Sequence, residues 1–164
     1  MKRIETVFVI ALLLFVSVSN AQKPRYVKSD KYEGVVFINY SGYAFEYVGR
    51  EGLKHQYVPT DKEIASAEKR IEKSIVKLLS DFKKHSPSFK DGCDIPNNLF
   101  KYKRHYYGYW SNDEKIISIY LFQETDNRGW KKAGIRIVED GGCNYIYLKY
   151  SITKDKIFDF YMKY

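Results

Sequence analysis

The chain has 164 residues, with 28 Lys and Arg against 20 Asp and Glu and a formal charge of +8. An excess of cations favours acidic partners, whether anionic polysaccharide, lipid headgroup, nucleic acid or acidic protein, and it equally describes a solubilising Lys-rich surface. The sequence carries no internal repeat and no low-complexity linker, and its length suits one domain able to bury most of its apolar surface.

Lys2 and Arg3 form a basic start, Val7 to Val18 is an almost unbroken apolar run, and Ser19-Asn20-Ala21 presents small residues ahead of Gln22. This is the three-part pattern of a secretory signal peptide. Crossing a bilayer takes about 20 apolar residues, and this run is shorter. A lipid anchor at the cleavage point needs Cys, and position 22 is Gln. Residues 1–21 are therefore expected to leave. Gln22–Tyr164 remains as a soluble periplasmic or extracellular protein, its charge falling to +7 with the loss of Lys2, Arg3 and Glu5.

Residues 22–31 are polar and read as a loose arm ahead of a domain spanning 32–164. Tyr32–Tyr40 and Tyr43–Val48 are rich in β-branched and aromatic residues. Ser41-Gly42 between them predicts a hairpin, which Gly49-Arg50-Glu51-Gly52 ends. Thr60, with Glu63 three residues on, predicts a capped helix start. Ile64, Ala67, Ile71, Ile75, Leu78, Leu79 and Phe82 recur at helical spacing, while Lys69, Arg70, Glu72, Lys73, Lys77 and Asp81 fall largely off that stripe. The helix should run to about Lys84, stopped by His85-Ser86-Pro87-Ser88. A loop over 86–98 holds Cys93.

Five apolar or alternating runs follow: Leu99–Trp110, Lys115–Gln123, Trp130–Val138, Asn144–Ile152 and Lys156–Tyr164. Asn112-Asp113, Asp126-Asn127-Arg128-Gly129, Gly141-Gly142 and Lys154-Asp155 punctuate them. Such short connections imply an antiparallel meander. The expected fold class is α+β, with an N-terminal hairpin, one long helix and a strand meander, the helix packed on a curved antiparallel sheet.

This order is similar to the cystatin-like and nuclear-transport-factor-like folds. Val138-Glu139-Asp140-Gly141-Gly142-Cys143-Asn144-Tyr145, Lys101-Tyr102-Lys103-Arg104-His105-Tyr106-Tyr107-Gly108-Tyr109, and Pro59-Thr60-Asp61-Lys62-Glu63-Ile64 ahead of Ala67-Glu68 also resemble uncharacterised small secreted bacterial α+β proteins. The resemblance implies a layout and no activity. The central Gln-Val-Val-Ala-Gly loop of the cystatin protease inhibitors is absent.

Cys93 and Cys143 are the two cysteines. In an oxidising compartment an even count predicts one disulfide, worth roughly 4 kcal/mol for a loop of about 50 residues in the chain-entropy model.

Alternation along the strands separates two kinds of face. Phe100, Tyr102, Arg104, Tyr106, Trp110, Ile146, Leu148, Tyr150 and Ile152 fall on one side, and Phe158, Phe160 and Met162 are placed with them, to meet the helix. Lys101, Lys103, His105, Tyr107, Tyr109, Tyr145, Tyr147, Lys149, Tyr161 and Lys163 fall on the other. Tyrosine offers a broad ring with a hydroxyl, and lysine a charge on a long stem. The mixture suits a glycan, a peptide or an acidic protein of the cell envelope or extracellular space. Single-stranded nucleic acid would use the same recipe, but export argues against it. The bland reading is a solvated sheet face coated by good strand formers.

His55, His85 and His105 have no metal-ligand spacing, no nucleophile elbow or phosphate loop occurs, and no cofactor is indicated. Asp140-Gly141-Gly142 is too poor in ligands for calcium. Asn39-Tyr40-Ser41 matches the glycosylation pattern of a eukaryotic secretory route. Glu46, Asp159 and His105 are the polar candidates for chemistry in a cavity between helix and sheet. Three readings result: a non-enzymatic binding module using the Tyr/Lys face, a small-ligand or catalytic pocket under the helix, and an inhibitor or immunity protein.

Overall fold

The C-terminal runs do build a sheet, but it is covered on both faces. The computed structural model describes residues 23–40, 44–86, 92, 94–123, 129–131 and 141–162. The leader, Cys93, residues 132–140 and Lys163 lie outside these.

The chain orders as β1 (Arg25–Lys28), β2 (Glu33–Val36), α1 (Phe45–Lys54), β3 (Gln56–Tyr57), α2 (Asp61–His85), α3 (Ile95–Asn98), β4 (Lys103–Ser111), β5 (Glu114–Phe122), β6 (Tyr145–Ser151) and β7 (Lys156–Met162). The seven-stranded sheet runs β1-β2-β4-β5-β6-β7, and β3 pairs with β4 beyond the end of β2. Only β2 against β4 is parallel; the other pairs are antiparallel. Asn112 and Asp113, both at positive φ (49° and 61°), close the β4–β5 hairpin in the left-handed conformation that two-residue turns demand.

The long helix α2 forms as its sequence predicts. Thr60 Oγ1 accepts the Glu63 backbone N–H at 3.3 Å, and a Glu63 carboxylate oxygen accepts the Thr60 N–H at 2.8 Å. Asp61 and Glu63 in the first turn and Lys83, Lys84 and His85 in the last complement the helix dipole. Ile64, Ala67, Ile71, Ile75 and Leu79 are buried against Ile117, Ile119, Leu121, Ile146 and Leu148.

Four expectations need correction. Residues 22–31 are not simply a loose arm: Arg25–Lys28 is the edge strand β1, held because Val27 reaches the main core. Tyr43–Val48 is not the return strand of a hairpin. Phe45–Lys54 is helical, kinked at Gly49 (φ 69°), and Ala44 and Val48, four residues apart, bury their side chains together. β2 pairs instead with β1 and β4. The described residues thus hold three α-helices, where one was expected. Finally, Trp130 and Lys131 form a turn, so the predicted strand Trp130–Val138 does not begin at Trp130; its remainder lies outside the described residues.

In β7 the alternation is broken. Asp159 adopts φ 52° at an irregularity in the β6–β7 ladder, and the side chains reset across it. Phe158 and Tyr161 therefore share the second core, while Ile157, Phe160 and Met162 belong to the first. The sequence pattern had placed Phe158 with Phe160.

Candidate functional site

The predicted Tyr/Lys face is an interior. His105, Tyr107, Tyr109 and Tyr147 are at most 4% exposed. They lie in a second core with Val35, Phe37, Tyr40, Ala44, Val48 and Trp130. Phe37 stacks on Tyr107 at 5.1 Å between ring centroids and Tyr40 meets it edge-on at 5.0 Å. The Tyr40 hydroxyl donates to the Gly108 carbonyl, and the Ser118 hydroxyl lies 2.9 Å from that of Tyr147. Burial pushes the Tyr109 and Tyr147 phenols well up.

The rest of the set disperses. Tyr145 and Tyr161 are half-buried at the margin of this core. Lys101 is exposed in a 3₁₀ turn ahead of β4 rather than on a strand. Lys103 is paired with Glu33, and Lys149 with Asp159 at 2.9 Å. Lys163 lies outside the described residues. Alternation sorted His105, Tyr107, Tyr109, Tyr145, Tyr147 and Tyr161 to one face correctly; it carried no information on whether a second layer covers that face.

His105 is fixed by one contact. Its Nε2 lies 2.8 Å from the Trp130 carbonyl, and its Nδ1 has no partner among the described residues. Phe37, Tyr107, Tyr120, Phe122 and Trp130 ring it. Burial among these rings lowers its pKa to about 4. Among the candidates for chemistry, Asp159 is exposed and engaged with Lys149, and Glu46 sits on α1.

A different place gathers buried polar groups beside open space. A cleft of about 320 Å³ lies between the β1–β2 turn, the first half of α2 and the α3 turn. Tyr32, Ala65, Pro96, Leu99 and Phe100 wall it, and Glu68 and Arg104 reach it from α2 and β4. Arg104 is 1% exposed and Glu68 7%. Arg104 donates through Nε and Nη2 to the two Glu68 oxygens, each at 3.3 Å, and through Nη1 to the Tyr102 carbonyl. The Tyr106 hydroxyl donates to Glu68 Oε1 at 2.8 Å. Burial, reinforced by the Glu68 charge, drives the Tyr106 phenol far above its ordinary value. Burial and Glu68 also raise that of Tyr32.

Gly34 makes room for this floor. It lies opposite Arg104 in the parallel β2–β4 pairing, where a Cβ would meet the Tyr106 ring at 2.5 Å and the Arg104 Cβ and carbonyl at 2.8 Å. At the rim, Lys31 pairs with Glu72 at 2.6 Å, joining the β1–β2 turn to α2.

Two other clefts are shallower in chemistry. One of about 420 Å³ lies beside Asn112, Glu114, Lys154 and Lys156; one of about 280 Å³ beside Arg70, Lys73, Tyr150 and Asp155. Neither ends on a buried ion pair. Among the described residues no group of His, Cys, Asp and Glu is arranged to hold a metal ion, and no helix is long and apolar enough to cross a membrane.

No protein family, curated protein or solved structure matches the chain. The site therefore stands on its geometry.

Sequence reasoning did not single out Glu68 or put Arg104 to use. A signal was present. Glu68 falls four residues after Ile64 and three before Ile71, on the buried stripe of α2, and Arg104 alternates with Tyr102 and Tyr106 on the buried face of β4. Opposite charges on two faces destined to meet predict a buried pair.

Proposed function

We propose that this chain is an exported small-ligand-binding protein whose site is the cleft between α2, the β1–β2 turn and α3. One observation carries the reading: a buried, hydrogen-bonded ion pair opens onto a mostly apolar cavity at the small end of the range that ligand pockets occupy. A pair that served packing alone could be exchanged for apolar side chains at little cost. Here it forms the buried polar floor of an otherwise apolar cleft. The Tyr/Lys recognition surface, by contrast, has no open face to act through.

The test is ligand-observed NMR with a library of small apolar fragments. Ala65 is exposed on α2 and lines the cleft, so Ala65→Trp fills the cavity without entering the core. Fragments should show saturation transfer from the wild-type protein and lose it with A65W at unchanged folding. Equal transfer from both proteins would end the proposal.

Export and layout belong to the same reading. Residues 1–21 act as a cleaved leader, so N-terminal sequencing of the secreted product should begin at Gln22. Cys93 and Cys143 pair; no described cysteine is free, and a non-reducing peptide map should join the two. α2 lying across the β4–β7 meander is the cystatin-like part of the fold, to which β1–β3 add further strands of the same sheet and α1 a layer on its other face.

A further inference from the structure

We propose that the cleft beside the β4–β5 turn binds a neutral pyranose, at a site separate from the Glu68–Arg104 cleft. Helix α1 packs over β4 as far as Tyr109, whose ring a Cβ on Gly52 would meet at 2.9 Å. Beyond it the sheet face continues through Ser111 opposite Glu114, and through Ile116 opposite Ser151, which in turn faces Lys156. These positions, with Asn112, Lys154 and Phe158, line a space of about 420 Å³, within the range that ligand pockets occupy. Its base is apolar: Ile116 is buried and Phe158 half-buried, both in the second core.

The rim is polar and offers donors as well as acceptors. The Ser111 hydroxyl and the Asn112 amide have no hydrogen-bond partner among the described residues. The two-residue turn sets Asn112 at φ 49°, so a fixed frame presents its side chain. Glu114 supplies the acceptors. Its side chain is 18% exposed and pairs with Lys154 at 2.7 Å. That ammonium first, and then the Ser151 hydroxyl, holds the carboxyl below its ordinary range, so it stays ionised. A carboxylate has about four lone-pair sites, more than these two partners occupy. A pyranose matches the division: its C–H groups lie on an apolar wall, and each of its hydroxyls both donates and accepts. One hydroxyl donates to Glu114 in a charge-assisted bond, and its neighbour meets Asn112 or Ser111. An anionic ligand would face Glu114, and a cation Lys154 and Lys156. A wholly apolar one would strip water from Glu114 and Asn112 and return no hydrogen bond.

The experiment is an NMR titration with the methyl glycosides of glucose, galactose and N-acetylglucosamine, set against cyclohexanol, a ring with one hydroxyl, and methyl glucuronide, a sugar with a carboxylate. The proteins are the wild type, Glu114→Gln, Asn112→Gly and Ala65→Trp. At least one neutral glycoside should move the backbone amides of Ser111, Glu114 and Ser151, and bind about tenfold more tightly than cyclohexanol and the glucuronide. E114Q should weaken that glycoside about fivefold. N112G, which keeps a residue suited to the left-handed turn and removes the amide, should weaken it about threefold. A65W, in the other cleft, should leave it unmoved. Cyclohexanol or glucuronide binding as tightly as every glycoside, glycoside binding indifferent to both E114Q and N112G, or no movement of the three amides would overturn the proposal. Loss of glycoside binding in A65W would place the sugar in the other cleft and overturn it equally.

Discussion

Glu68 on α2 and Arg104 on β4 meet side-on, each Glu68 oxygen 3.3 Å from one guanidinium nitrogen, and both residues are withdrawn from water. Breaking such a pair differs from replacing it. Glu68→Ala leaves Arg104 charged and buried, and should cost about 3–5 kcal/mol in urea unfolding. Glu68→Leu combined with Arg104→Met and Tyr106→Phe removes charge, counter-charge and the orphaned hydroxyl together. It should stay within about 2 kcal/mol of wild type, the Tyr102 carbonyl losing one donor. That triple variant should fold and lose the binding of apolar fragments to the cleft. A triple variant as unstable as E68A would make the pair a structural necessity instead.

Tyr107 and Phe100 should respond in opposite ways to truncation. Tyr107 is 2% exposed and stacked on Phe37, so Tyr107→Ala should cost about 3–5 kcal/mol, as loss of a core aromatic does. Phe100 is 60% exposed at the cleft wall, so Phe100→Ala should change stability by less than about 1 kcal/mol and weaken ligand binding. Thermal melts of the two variants check both. A Tyr107→Ala protein of native stability would restore the sheet face as a surface.

The long helix was legible because everything that specifies it is local: the Thr60–Glu63 box, a stripe repeating over about five turns, and a proline beyond the end. Strands β4 to β7 were legible for the same reason. The second layer was not. Phe45–Val48 has the composition of a strand, and only the covered sheet face, a tertiary partner far away in sequence, makes a helix the better way to bury Ala44 and Val48. His105, Tyr107, Tyr109 and Tyr147 were misplaced on one point: period two assigns a side chain to a face and says nothing of what lies on top. The Asp159 irregularity was equally invisible, because a positive φ at an aspartate leaves no mark in a hydrophobic pattern. Glu68 and Arg104 were readable in principle, each being a charge out of place on an apolar face.

Gly34 is predicted to be irreplaceable. Two of the three atoms that a Cβ there would strike belong to Arg104, one of them its backbone carbonyl, and the third to the Tyr106 ring. Gly34→Ala should cost about 1–3 kcal/mol, as overpacking does, and shift the floor of the cleft. Backbone amide shifts at Arg104 and Tyr106, with a lower urea midpoint, are the expected result. A Gly34→Ala protein as stable as wild type would mean that β2 and β4 can part without loss.

His105 should make stability fall with acid over a defined range. Its pKa is about 4 in the folded protein and 6.5 when unfolded, so between these values the unfolded chain binds more protons. Stability from this group is complete above pH 6.5, declines as pH falls, and is exhausted near pH 4. The total is on the order of 3 kcal/mol. Among the described residues, the titratable side chains whose rings meet the imidazole are Tyr107 and Tyr120, and the Lys103 ammonium lies 5.6 Å from the neighbouring Trp130 ring. His105→Phe keeps a ring in the cage and loses only the contact to the Trp130 carbonyl, at about 1 kcal/mol near pH 7. Urea unfolding at half-unit pH steps should show the variant approaching and then overtaking wild type toward pH 4, the carboxylate contributions being common to both. Parallel curves for the two proteins over the whole range would show that the imidazole does not titrate differently on folding.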